Sequence, residues 1–140
     1  MSATWVVVVA VLIAVAGLAL VIGRLVTLRS TLARGAAEWP DVDTSDLGLS
    51  GTGPTVLHFS APWCGPCAGV RRVVDEVCAE LPQVAHVEID MDANPAAARK
   101  LSVLSLPTTF VFDADGRQRY RTSGVPTAAD LRSVLQRLLA

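Results

Sequence analysis

The chain has 140 residues, with 12 Lys and Arg against 13 Asp and Glu for a formal net charge of −1, and 51% of its residues are apolar. That length holds one compact domain plus an appendage, and the near-neutral charge, with no basic run, Gly-rich phosphate loop or zinc-type spacing, argues against nucleic acid, nucleotide, metal or cofactor. Three cysteines, Cys64, Cys67 and Cys78, are too few for a disulfide scaffold and leave one close pair and one thiol over.

Residues 4–23 are apolar or small throughout, long enough for a helix to cross a hydrocarbon layer of roughly 30 Å. No Lys or Arg precedes this run and Arg24 follows it directly, which favours an uncleaved single-pass anchor in membrane lipid over a signal peptide. Residues 24–53 read as a juxtamembrane helix and then a linker. Leu25, Leu28 and Leu32 recur at helical spacing beside Arg24, Arg29 and Arg34 at headgroup level. From Gly35 to Gly53 the composition turns to Gly, Ser, Asp and Pro. Trp39 belongs either to the membrane interface or to the domain. With the arginines on the C-terminal flank of the anchor, the positive-inside rule places the globular domain in the cytoplasm, the extracytoplasmic face being the alternative.

Residues 54–140 form the globular domain, with nine basic and nine acidic side chains. Thr55 to Ser60 predicts a buried strand. A helix from about Gly65 to Leu81 carries Val70, Val73, Val74, Val77 and Cys78 on one stripe and begins within the cysteine motif. His86 to Asp90 alternates as a second strand, and a short helix from Pro95 to Leu101 has Pro at its first turn. Thr108 to Phe112 is a third strand, and Asp113 to Gly116 turns the chain into a fourth, antiparallel strand from Arg117 to Thr122. Thr127, with Asp130 three residues on, starts the last helix. The order is β-α-β-α-β-β-α.

Two cysteines separated by two residues can close a small disulfide ring where the chain turns into a helix. A thiolate at the helix start faces unpaired N–H groups and the positive dipole end, which acidifies the first thiol. Cys64 would then attack a substrate disulfide, and Cys67 would attack the Cys64 sulfur to release the reduced substrate. Gly65 permits the turn, Pro66 stiffens it, and Trp63 flanks it as packing around a substrate groove. A structural disulfide and capture of a metal such as copper by the pair are the other readings, the latter needing two further ligands.

Ala61-Pro62-Trp63-Cys64-Gly65-Pro66-Cys67 resembles the active-site run of the thioredoxin family, and the resemblance extends from about Thr55 to Ala140. It implies a thioredoxin-like three-layer α/β fold, a central mixed four-stranded sheet with helices on both faces, here on one N-terminal transmembrane helix. It also implies reduction of protein disulfides, with electrons from a reductase or membrane carrier, a thiol-oxidising or isomerising module being the alternative. Leu106-Pro107 falls at the family's cis-proline facing the dithiol, and Gly124 at its glycine beside the active-site surface. The apolar Leu106 and the Gly65-Pro66 pair resemble reducing members. Three positions depart from the pattern. His58 stands where the family keeps a buried aspartate, so a general base and a packed core histidine are both open. Glu88 replaces the accompanying lysine, and Arg72 replaces the kink proline. The family's first strand and helix have no clear counterpart before Pro54. Cys78, on the apolar stripe, reads as a buried inert thiol.

Overall fold

A computed structural model describes residues 3–33 and 39–140, with side chains described for 3–23 and 39–140. It divides into two compact units, residues 1–38 and residues 39–140. The described residues of the first form one helix, α1 (Ala3–Ala33). Its stretch Ala3–Gly23 is long and apolar enough to span a bilayer, and its side chains are exposed all round. An evenly apolar helix without a polar face suits lipid, although a signal sequence shares the same description. Arg34 and the side chains of Arg24 and Arg29, expected at headgroup level, lie outside the described residues.

The second unit carries β1 (Thr55–Ser60), α2 (Cys67–Glu80), β2 (Ala85–Asp90), α3 (Pro95–Lys100), β3 (Thr108–Phe112), β4 (Gln118–Ser123) and α4 (Ala128–Leu139). The sheet order is β2-β1-β3-β4, with β2 parallel to β1 and the other pairs antiparallel. This is the mixed four-stranded sheet that the sequence predicts, in the predicted element order.

β1 and β3 are buried along their whole length because both sheet faces are covered. Side-chain alternation divides their residues between two cores. Val56 and Val111 join Val70, Val74 and Val77 of α2 and Leu131 and Leu135 of α4. Leu57, Phe59, Phe110 and Phe112 face the other way, against Ala98 and Leu101 at α3. α4 starts where the sequence places it, because Thr127 Oγ1 accepts the Asp130 N–H at 3.1 Å and donates to the Asp130 carboxylate at 2.7 Å.

Several boundaries differ from expectation by one or two residues. α2 begins at Cys67 instead of about Gly65, because Pro66 occupies the N-cap and Gly65 and Pro66 form a turn closed by Cys67 N–H to Cys64 O at 3.3 Å. β4 begins at Gln118, because Arg117 belongs to the turn, where its carbonyl accepts the Asp113 N–H at 3.0 Å, and the irregular register between Val111 and Phe112 leaves Arg119 as the extra residue. α2 then runs unbroken for 14 residues, as expected with Arg72 in place of the kink proline.

The segment before β1, expected as linker, has turns but no helix or strand, and yet it is docked. Leu47 is 3% exposed within the second core, with Val42 and Leu49 packed beside it. Thr44 Oγ1 donates to Gly116 O at 3.3 Å, and Lys100 pairs with Asp46 at 2.6 Å. Gly116 sits at φ +78, and a Cβ there would come within 2.5 Å of Thr44 Oγ1, so glycine is required on both counts.

Candidate active site

The turn into α2 brings Cys64 and Cys67 together as a disulfide, with their Cα atoms 5.5 Å apart. The two sulfurs sit in different surroundings. Cys64 is half-buried, whereas Cys67 is 1% exposed and its sulfur lies 3.9 Å from the Phe59 carbonyl oxygen of β1. A substrate can therefore reach Cys64 and not Cys67.

Trp63 projects its ring to solvent at 66% exposure, while its indole N–H donates to Asp92 at 2.9 Å. Asp92 is held in turn by Asp90, whose carboxylate accepts the N–H groups of Asp92 and Ala93 at 2.8 and 3.2 Å. The indole thus has a fixed orientation on an otherwise open surface.

The Leu106–Pro107 peptide bond is cis, and Pro107 O accepts the Gly124 N–H at 2.9 Å. Gly124 has φ +82, which turns the chain so that Val125 lies against Gly69 of α2; a Cβ on Gly69 would meet Val125 Cγ2 at 3.3 Å. Pro107 and Gly124 are thereby linked through Val125 to the first turn of α2, which carries Cys67. Gly65 and Pro66 are both exposed at the rim of the disulfide, and Leu106 is half-buried.

Two supports for this assembly had no signal in the sequence. Asp92 is one. The other is Arg121, whose guanidinium donates to Leu101 O at 3.0 Å and Ser102 O at 2.7 Å while lying 5.1 Å over the Phe110 ring. It anchors the loop that leads to Pro107, in which Ser102 takes a left-handed φ of +51.

His58 is fully buried on the α2 face of the sheet, one residue before Phe59. Its Nδ1 is 3.0 Å from Nε2 of His86, and its Nε2 lies 3.6 Å from Oε1 of Glu88 without a hydrogen-bond partner. Burial pushes the imidazole down to about 4, against the upward pull of Glu88. It is neutral at pH 7, and the approach to Glu88 is then not an ion pair. Glu88 is held by a bidentate contact to Arg71 at 2.6 and 2.7 Å, which lowers its carboxyl to about 2 despite the opposing effect of burial. Cys78 packs beside the first core, and burial raises its thiol pKa. Among the described residues no three His, Cys, Asp or Glu side chains are grouped to hold a metal.

The family model for thioredoxin matches residues 46–137. A thioredoxin of Mycolicibacterium smegmatis is 41% identical over 86 residues, covering 59% of this chain and 76% of that protein. Thioredoxin 1 of Synechococcus elongatus is 35% identical over 105 residues, covering 74% of this chain and 97% of the relative. Among solved structures, Fasciola hepatica thioredoxin superposes with a TM-score of 0.54 at 35% identity, covering 61% of this chain and 81% of that one.

Proposed function

The chain belongs to the thioredoxin family and is a disulfide oxidoreductase with a redox-active cysteine pair, and from that premise we propose that it reduces protein disulfides at a membrane surface. Cys64 is the attacking nucleophile and Cys67 the resolving thiol. The observation that carries these roles is the contrast in access: Cys64 is half-buried at the surface and Cys67 is 1% exposed. An incoming disulfide meets Cys64, and its thiolate is favoured by the N–H groups and dipole at the start of α2. Attack breaks the substrate S–S bond, forms a mixed disulfide on Cys64 and releases one substrate thiolate. Cys67 then loses its proton, attacks the Cys64 sulfur and frees the second. His58 is the base for that second step: an uncharged imidazole at neutral pH, buried beside Phe59, whose carbonyl oxygen borders Cys67.

Trp63, Leu106, Pro107 and Gly124 frame the groove in which substrate backbone lies, and Gly65 and Pro66 shape the ring. Gly65-Pro66 and the apolar Leu106 favour the reducing direction, with electrons returned by a reductase or a membrane carrier. α1 anchors the unit in lipid ahead of the domain, and the arginines after the span favour the cytoplasmic side.

Exposure of the full chain to a disulfide-bonded protein tests these roles. Cys67→Ser should accumulate a mixed disulfide on Cys64, and Cys64→Ser should form none. Trapping on Cys67, or none in either variant, would overturn the assignment.

A further inference from the structure

Beneath α2 the ionisable groups form one continuous series from solvent to buried His58. Asp75 of α2 is exposed, and its Oδ1 lies 3.3 Å from Nδ1 of His86, which is 21% exposed. Nε2 of His86 lies 3.0 Å from Nδ1 of fully buried His58, and the two rings stack with centroids 5.0 Å apart. Nε2 of His58 is buried without a hydrogen-bond partner, and Glu88, gripped by Arg71, lies beyond it.

We propose that His86 and Asp75 complete a proton relay between His58 and solvent, so that the proton lost by Cys67 leaves through two imidazoles beneath α2 instead of through the groove that substrate occupies. This rests on the reading of His58 as the base.

In the dithiol state the contacts allow one donor order that carries it. With His86 donating from Nδ1 towards Asp75, which can only accept, its Nε2 is an acceptor. His58 must then donate from Nδ1, which leaves a lone pair on its Nε2. A proton moving from the Cys67 thiol to this Nε2 makes a transient imidazolium beside Glu88. The Nδ1 proton of His58 passes to His86 Nε2, and His86 gives up its Nδ1 proton to Asp75 and water. The Cys67 thiolate forms the bond to Cys64 and the substrate thiolate departs. Both imidazoles end as the opposite tautomer, and re-reduction of the disulfide, which returns one proton to Cys67, restores them. The groups facing His58 are Glu88 and His86 from β2, Arg71 and Asp75 from α2, and the uncharged Thr109 from β3. Burial disfavours a standing charge on His58, so the proton is passed on and not stored.

The test mixes the reduced full chain, in detergent micelles, with an aryl disulfide in stopped flow from pH 5 to 9. The first phase reads attack by Cys64 and the second attack by Cys67. His86→Phe and His86→Gln should slow the second phase by about tenfold or more at pH 7, leave the first unchanged, and recover in imidazole buffer. Asp75→Asn, at the surface, should slow it less and in the same direction. His86→Gln keeps a hydrogen bond to His58, so wild-type thermal stability with a slowed second phase separates relay from folding. A second phase within about twofold of wild type in His86→Gln, with His58→Ala slow, would overturn the relay and leave His58 as base. An unchanged second phase in His58→Ala would overturn both.

Discussion

The indole N–H of Trp63 donates to Asp92 across 29 positions of sequence at 2.9 Å, holding a solvent-facing ring beside the disulfide. A fixed ring loses less freedom when substrate settles on it. Asp92→Ala should therefore raise KM for a protein substrate about fivefold, equivalent to about 1 kcal/mol for one hydrogen bond, with kcat unchanged. Steady-state kinetics of the variant check this, and a fall in kcat at constant KM would place Asp92 in the chemistry.

Leu47 brings the segment before β1 into the core shared by Phe59, Phe110 and Phe112. Leu47→Ala should cost about 2–5 kcal/mol in urea unfolding, as for other buried leucines. A loss below about 0.5 kcal/mol, the size of a surface change, would mean that the segment adds nothing to stability.

His58 makes stability depend on pH. Its folded pKa is depressed to about 4 from 6.5, so between these values the unfolded chain binds more protons and stability falls as pH falls. The loss should reach about 3 kcal/mol by pH 4, because each unit is worth about 1.4 kcal/mol. Glu88, lowered from 4.5 to about 2, extends the decline below that window. Denaturant unfolding of wild type and His58→Leu from pH 4 to 7 checks it, since the variant should lose most of the slope above pH 4.5.

Membrane orientation is open to a direct check in intact cells. With the domain in the cytoplasm, Cys64 should resist a membrane-impermeant maleimide until the cells are opened. Labelling of intact cells would place the domain on the outer face.

The elements that sequence patterns resolve are those bounded by local chemistry. Thr55–Ser60 and Thr108–Phe112 match their predicted limits because each is a buried β-branched and aromatic run beside a proline. The start of α4 follows from a capping pair within four residues. The docking of Leu47 was not legible, because a lone leucine between Asp46 and Gly48 has no periodicity to reveal a buried face. Likewise the cysteine pair is written in five consecutive residues, whereas Asp92, Arg121 and His86 reach their partners only through sheet register and loop packing. The parallel pairing that sets His86 beside Val56 and Glu88 beside His58 is a tertiary fact with no local signature.

A redox titration of Cys64 and Cys67 in the full chain, read by alkylation and mass spectrometry, bears most directly on reductive thiol-disulfide exchange. A single two-electron transition near about −270 mV, the range of reducing thioredoxins, is the expected result. A midpoint near about −120 mV, as for a dedicated oxidant, or a disulfide that does not exchange at all, would contradict it.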